Sequence, residues 1–177
     1  PGEVGCARSH VALWRMLLES SCDNMLILED DCQFVRYRFA QALQCALEQV
    51  PSDWGILYLG FSSRGPREYV STTDWVHVYK PTYGFHTHAY LVTRSAAEVL
   101  LNQLPVQGPI DVWLADHQWF DVPTYVAAIA GEGWVDKETG ECEGLNLVGQ
   151  YRRRLTSDVH QSSPSVNTTP FSPAAKT

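Results

Sequence analysis

The sequence lacks several features that would place it in a specialised class of protein. No apolar stretch approaches the roughly 20 residues needed to span a bilayer, and the five cysteines include no CxxC pair, which disfavours a zinc ribbon or a redox pair. Basic residues are the scarcer charge, with 13 Lys and Arg against 20 Asp and Glu and a net charge of −7. This acidic balance disfavours charge-driven binding to nucleic acid.

The beginning of the sequence also lacks an initiator methionine and a recognisable signal peptide. We therefore expect the chain to be part of a longer protein. Its 177 residues, 45% hydrophobic and 19% charged, suffice for one folded domain. We place this domain at residues 1–160. The Ser/Thr/Pro-rich residues 161–177 have no periodicity, so they are expected to form a disordered tail.

Apolar periodicity predicts alternating helices and strands, which indicates an α/β fold. The predicted helices cover residues 6–18, 35–49, 95–103 and a short segment after Pro109. The predicted strands cover residues 25–28, 55–60, 76–79, 88–92 and 125–129. The strand at 25–28 is expected to be buried on both faces and that at 76–79 to lie at an edge. Ser95 with Glu98 is typical of a helix N-cap, and residues 61–74 are expected to form a loop.

Three consecutive acidic residues, Glu29, Asp30 and Asp31, follow the apolar strand at 25–28. Ligands of open α/β sheets bind beyond the carboxyl ends of strands. In an extended chain Glu29 and Asp31 face one side and Asp30 the other. Clustered carboxylates repel one another, and their oxygens favour Mg²⁺ or Mn²⁺, which commonly bridge to phosphates. Two interpretations stay open, a metal–phosphate site (for a nucleotide, a nucleotide sugar or a phosphoester) and a solvated acidic turn.

Three further groups could carry chemistry. Cys6 and His10 share a helix face, either as a nucleophilic pair, as two metal ligands, or as a buried thiol beside a hydrogen-bonded core histidine. His86 and His88 face one side if extended, as a metal second shell, a substrate contact or part of a polar loop. Asp111 begins the short helix, either as an acid stabilised by the helix dipole or as a general base.

In order along the chain, these motifs resemble the glycosyltransferase family 25 signature, which includes bacterial lipooligosaccharide galactosyltransferases and collagen galactosyltransferases. The resemblance covers residues 1–160. The blocks that carry it are residues 2–6 (Gly-Glu-Val-Gly-Cys), 9–10 (Ser-His), 14, 26–31 (Leu-Ile-Leu-Glu-Asp-Asp), 53–54, 57–60, 87–92, 96–101, 109–111 (Pro-Ile-Asp), 150 and 157–158.

The resemblance implies a GT-A-like fold, in which a Rossmann-like mixed sheet flanked by helices binds a nucleotide sugar and a divalent metal, Mn²⁺ or Mg²⁺. It implies that Asp31 is the main metal ligand, with Glu29 and Asp30 on the metal or the ribose. Family members invert the anomeric configuration, and Asp111 is the implied base for the acceptor hydroxyl.

The resemblance also implies further substrate-binding residues. His88 is expected near the metal and diphosphate, Ser9 and His10 are expected to position the acidic loop or the donor, and Gln150 belongs to the closing segment. Family members carry an upstream strand and helix that recognise the nucleotide base. The chain is therefore expected to lack this N-terminal part.

The function implied by the resemblance is transfer of galactose from UDP-galactose to a saccharide or hydroxylysine acceptor. The alternatives are a non-catalytic glycosyltransferase-like binding domain or truncated inactive copy, and a metal-dependent phosphoesterase. Bacterial relatives act at the cytoplasmic membrane face and collagen-modifying relatives in the endoplasmic reticulum, so both compartments stay open. Neither a nucleic-acid partner nor a transmembrane segment is expected.

Overall fold

A computed structural model describes residues 2–34, 39–73, 76–116, 121–135 and 142–150, and at residues 63–67, 130–135, 142–146 and 149–150 it describes the backbone alone. The helices are α1 (Gly2–Glu19), α2 (Phe39–Gln49), α3 (Arg94–Asn102) and α4 (Ile110–Ala115). The strands are β1 (Asn24–Leu28), β2 (Cys32–Phe34), β3 (Ile56–Thr72), β4 (Val76–Thr93), β5 (Thr124–Val135), β6 (Cys142–Asn146) and β7 (Val148–Gln150). The expected tail, residues 161–177, lies outside the described residues.

The main sheet is mixed and has five strands in the order β1-β4-β3-β5-β6. β3 runs parallel to β5, whereas β4 is antiparallel to β1, β3 and β5. A small antiparallel pair, β2 with β7, lies beside the acidic segment. Helices flank the sheet within one α/β domain, which confirms the expected fold class and agrees with a GT-A-like fold.

The continuous apolar runs of the central strands explain why helices cover both sheet faces. On β3, Ile56 and Tyr58 pack with α1, α3 and α4, whereas Leu57 and Leu59 point to the opposite face and pack with α2. Successive side chains of a strand point to opposite faces, so a strand that is apolar at every position needs cover on both sides.

The end of α1 is anchored to α3 by one arginine. The guanidinium of Arg94 donates to one carbonyl in the last turn of α1, that of Leu18 at 2.9 Å, and to two carbonyls beyond the helix, those of Ser20 and Cys22 at 2.6 and 2.7 Å. The last carbonyls of a helix have no partner within it, so a cation with several donors satisfies them and complements the helix dipole. This contact fixes the point at which the chain turns into β1.

The strand at 25–28 is less buried than expected, although helices pack on both of its faces. Among the described strands, β1 pairs with β4 alone and forms the sheet edge. Ile27 is buried, but Leu28 is 39% exposed. The apolar run reflects packing against α1 and α2 on the two faces, not a central position in the sheet.

Three local expectations also need correction. The expected loop at 61–74 is wrong, since β3 continues through its Gly and Pro to Thr72 because it pairs with β4 across several register shifts. The strand at 76–79 is the first part of β4 and lies between β3 and β5, so it is not an edge. The N-cap of α3 is Thr93, whose hydroxyl accepts from the Ala96 amide, and not Ser95.

Four of the five cysteine thiols are described, and all four are free. Cys6, Cys32 and Cys45 are partly buried, whereas Cys22 is exposed. Within the described part of the chain, no helix is both long enough and apolar enough to cross a membrane.

Candidate functional site

The acidic segment forms a tight turn immediately after β1. The amide of Cys32 donates to the carbonyl of Glu29 at 3.2 Å, so residues 29–32, hereafter the acidic turn, reverse the chain. The extended alternation expected for the three acids is therefore wrong. Glu29 and Asp31 are nevertheless partly buried, and Asp30 is exposed.

A distortion of β4 faces this turn. Ser62 pairs with Phe85, but Gly60 pairs with Ala89, so β4 accommodates two more residues than β3 over this stretch. His86 takes a left-handed φ of 69°, which is uncommon for a residue with a side chain. Bulges of this kind re-aim side chains beside functional sites. Since residues 86–88 are not regularly extended, the expected shared orientation of the two histidines does not follow from strand alternation, although their ring centroids lie 6.2 Å apart.

His88 joins the bulge to the acidic turn. Its carbonyl accepts from the Glu29 amide at 2.9 Å and from the Cys32 thiol. Its Nε2 lies 3.0 Å from the carbonyl of Val148, and because a carbonyl only accepts, Nε2 carries the proton. Burial lowers the pKa of His88, so the ring is neutral and its buried Nδ1 keeps a lone pair, which has no hydrogen-bond partner among the described residues.

Glu29 is held by donors from two other elements. Its Oε1 accepts a hydrogen bond from the Thr87 hydroxyl at 2.7 Å. The same oxygen lies 3.4 Å from His10 Nε2 and 4.0 Å from Cys6 Sγ. The hydrogen bond from His10 lowers the pKa of Glu29, and the hydrogen bond from Thr87 lowers it further. Burial acts in the opposite direction, but the net pKa is lowered. Glu29 is therefore ionised at neutral pH in a fixed orientation.

A buried chain of hydrogen bonds sets the orientation of His10. The Trp14 indole donates to the Tyr90 hydroxyl at 3.1 Å, and that hydroxyl lies 2.8 Å from His10 Nδ1. An indole N–H only donates and a carboxylate only accepts. The bonds are all satisfied when Tyr90 donates to Nδ1 and His10 donates from Nε2 to Glu29, a tautomer assigned from the network.

A cleft of about 210 Å³ opens beside this network, and Glu29, Thr87, His86, Cys6 and Asp111 are among its lining residues. Asp111 lies in the first turn of α4, where its Oδ1 accepts from the Val112 amide at 2.9 Å. Its position in the first turn fits an acid stabilised by the helix dipole, and its place on the cleft wall fits a general base, so both interpretations of Asp111 stay open. The structure therefore brings Glu29, His10 and Asp111 to one place.

The charges around Cys6 bear on whether a divalent cation fits. Burial raises the pKa of its thiol, and the negative charges of Glu29, Asp111 and Asp31 raise it further. Carboxylate oxygens are the ligands that Mn²⁺ and Mg²⁺ prefer. Glu29 and Asp111 line the cleft, but Asp31 is not among the described residues that line it, so an Mn²⁺ or Mg²⁺ ion held by Asp31 and Glu29 stays a prediction.

Two expected substrate-binding residues, Ser9 and Asp30, do not join the network. Ser9 is exposed on α1, where its hydroxyl donates to the Gly5 carbonyl at 3.1 Å. Asp30 is exposed at the acidic turn. The backbone of Gln150 pairs with Cys32 next to the acidic turn, and its side chain lies outside the described residues.

Sequence reasoning missed two polar residues that complete the network, Thr87 and Tyr90. Both are buried and lie within the apolar run of β4, where polar groups require hydrogen-bond partners. That requirement is the signal that could have marked them, although it does not reveal which residues the partners are.

A larger groove of about 770 Å³ runs along α1 beside the loop at residues 104–108. Its lining combines apolar side chains such as Val11 and Val106 with Arg8 and Arg15. It does not contain the hydrogen-bonded carboxylate of the smaller cleft, which is the better candidate for chemistry.

The sheet has a cleft beside the turn that follows β1, and carboxylates line this cleft, so the chain is an α/β domain with an acidic cleft at a strand end. The chain belongs to glycosyltransferase family 25: the model of this family, described as a glycosyltransferase family 25 (LPS biosynthesis protein), matches residues 1–114. This match confirms the resemblance read from the sequence motifs.

Curated relatives share about 30% identity with the chain. They include "Probable inactive glycosyltransferase 25 family member 3" of Bos taurus, 29% identical over 118 residues, and "Procollagen galactosyltransferase 1" of Danio rerio, 27% identical over 119. "Procollagen galactosyltransferase 1-B" of Xenopus laevis is 31% identical over 118 residues. Each match covers 64% of this chain, and 20%, 20% and 19% of the respective relatives, so the chain spans about a fifth of their length.

Proposed function

We propose that the cleft catalyses metal-dependent, inverting glycosyl transfer, with galactose moving from UDP-galactose to a saccharide or hydroxylysine acceptor. The observation that carries this proposal is the placement of Glu29 and Asp111 on the walls of one cleft. Membership of the family and the procollagen galactosyltransferase names of relatives support the sugar and the acceptor class.

Asp111 is the proposed general base. Inversion by a single displacement requires one carboxylate to take the proton of the acceptor hydroxyl as its oxygen bonds to the anomeric carbon. One Asp111 oxygen is engaged by the Val112 amide, which fixes the carboxylate at the cleft wall. A fixed carboxylate supports catalysis because its orientation is set before the acceptor arrives.

The donor side of the proposal rests on the acidic turn. Asp31 and Glu29 would hold Mn²⁺ or Mg²⁺, and when bound the ion would offset negative charge on the departing diphosphate. The hydrogen bonds from Thr87 and His10 keep Glu29 ionised and oriented.

The test is release of UDP from UDP-galactose with Mn²⁺ and candidate acceptors. Asp111→Asn should lower the rate by about 10²–10⁴-fold, the usual contribution of a general base. Asp116→Asn is the matched control, since Asp116 ends the same helix and should keep the unmodified rate. Equal rates in the two variants would remove Asp111 from its role, and an active Asp31→Ala variant would overturn the metal assignment.

A second candidate is a non-catalytic glycosyltransferase-like domain. It is favoured by the bovine relative whose name marks it as inactive. A folded chain that binds UDP with Mn²⁺ but releases none from UDP-galactose, with any acceptor tried, would support this candidate.

A further inference from the structure

The arrangement of Cys6 and His10 points to a second kind of cation. The two residues are four positions apart on α1, so their side chains project from the same face of the helix. His10 is buried and Cys6 is partly buried. This spacing allows a thiolate and an imidazole on one helix to ligate a single ion.

Glu29 completes a set of three donors from a different part of the chain. The ligand atoms of Cys6, His10 and Glu29, hereafter the metal-ligand cluster, lie within 4.8 Å of one another. The Nε2–Oε1 distance is 3.4 Å and the Sγ–Oε1 distance is 4.0 Å. Tetrahedral zinc bonds place such ligand atoms roughly 3.3–3.7 Å apart, so the three donors need to close by no more than about 1–1.5 Å to hold an ion.

The groups behind the cluster match those that support metal ligands. A ligating histidine usually bonds its second ring nitrogen to a fixed partner, and His10 Nδ1 contacts the Tyr90 hydroxyl at 2.8 Å. An ion on Nε2 would move the ring proton to Nδ1, and the same contact would then run from His10 to Tyr90. The hydroxyl of Thr87 likewise orients the Glu29 carboxylate.

The cluster also has an open side. Cys6 and Glu29 line the cleft of about 210 Å³, which gives an ion an entry path. Three protein ligands with a fourth position open to solvent is the arrangement of zinc sites that keep a water or a substrate oxygen.

We propose that Cys6, His10 and Glu29 form a binding site for a thiophilic divalent cation, with Zn²⁺ as the natural occupant. Sulfur and nitrogen donors select Zn²⁺ or Co²⁺, whereas Mn²⁺ and Mg²⁺ favour sites made of oxygen alone. Glu29 is shared with the expected site of the hard cation. Zn²⁺ in the cluster therefore competes with the hard cation for the Glu29 carboxylate.

Titration of the metal-free chain with Zn²⁺ and with Co²⁺ tests this proposal without reference to any enzymatic activity. One ion should bind per chain, and the Co²⁺ form should show the near-ultraviolet absorption of a cobalt–thiolate bond. Cys6→Ser should abolish this absorption and weaken Zn²⁺ binding by more than about tenfold, since even loss of a group that only orients a ligand costs about 10–100-fold. Cys22→Ser, at an exposed thiol outside the cluster, should change neither.

A measurement on the unaltered chain guards against misfolding of the variant. Zn²⁺ should slow the alkylation of Cys6, mapped by peptide analysis, and leave that of Cys22 unchanged. Equal Zn²⁺ affinity of the Cys6→Ser and Cys22→Ser variants would overturn the proposal. So would a Co²⁺ form without thiolate absorption, or an alkylation rate of Cys6 that does not respond to Zn²⁺.

Discussion

Replacement of Gly60 by alanine should destabilise the protein strongly, because this glycine leaves the space that His88 occupies. A Cβ at position 60 would overlap the imidazole, at 2.5 Å from its Cδ2, and would also lie 2.5 Å from the Val148 carbonyl oxygen. Real Cβ atoms essentially never make contacts under 3.0 Å. The ring must therefore move, and its hydrogen bond to Val148 is lost.

The expected magnitude combines two costs. Overpacking a buried position costs about 1–3 kcal/mol, and a buried polar group left without its partner costs about 1–3 kcal/mol. The free energy of unfolding should therefore fall by about 2–6 kcal/mol in Gly60→Ala. At roughly 2–4 °C per kcal/mol for a chain of this size, a loss of about 3 kcal/mol lowers Tm by roughly 6–12 °C.

Urea unfolding and thermal melts, followed by circular dichroism, measure this effect. Gly5→Ala is the matched control, because a Cβ there meets nothing within 4 Å, and alanine should stabilise α1 by about 0.5–1 kcal/mol. Displacing His88 should also disturb the acidic turn, since its carbonyl accepts from the Glu29 amide. A Gly60→Ala variant as stable as the unaltered chain would refute the packing described here.

Three further substitutions test the network and its anchor. Tyr90→Phe should cost about 1–3 kcal/mol in urea unfolding, because Trp14 and His10 both lose a buried partner; no loss would contradict the hydrogen-bond chain. The folded-state pKa of Glu29 is lowered, so its stabilisation is present above the unfolded pKa of about 4.3 and is lost as pH falls through the folded value. The difference in unfolding free energy between the unaltered chain and Glu29→Gln should therefore shrink as the pH is lowered from about 6 through the folded pKa of Glu29. A difference that does not change with pH would be evidence against an ionised Glu29. Arg94→Ala should lower the free energy of unfolding by about 1–2 kcal/mol in urea titrations. Arg94→Lys should not restore this stability, because lysine lacks the forked guanidinium group.

The fold class could be predicted from the sequence because burial on two sheet faces leaves continuous apolar runs. The run at residues 56–59 forms the beginning of β3, and the run at residues 89–92 forms the end of β4. The lengths of these strands could not be predicted, since pairing between them continues across a segment whose Gly65 and Pro66 favour a turn. The edge position of β1 could not be predicted either. Helices pack on both of its faces, so β1 needs the same continuous apolar residues as a strand in the middle of the sheet.

Some residues of the candidate site could likewise be predicted from local sequence patterns, whereas the contacts between them could not. Helical spacing was sufficient to place Cys6 and His10 on one face, and the acidic motif after β1 identified Glu29. The contacts of Glu29 with Thr87 and of His10 with Tyr90 join residues 58 and 80 positions apart. These contacts depend on the register of β1 against β4 and on the bulge, which a local pattern does not encode.

Calorimetry of UDP binding to the folded chain tests the central claim, that the cleft beside the acidic turn holds a nucleoside diphosphate through a divalent cation. One UDP should bind per chain, binding should require Mn²⁺, and Asp31→Ala should abolish it while Asp116→Asn preserves it. A folded chain that binds no UDP with Mn²⁺ present, or that binds UDP equally well without the ion, would show that the cleft is not such a site.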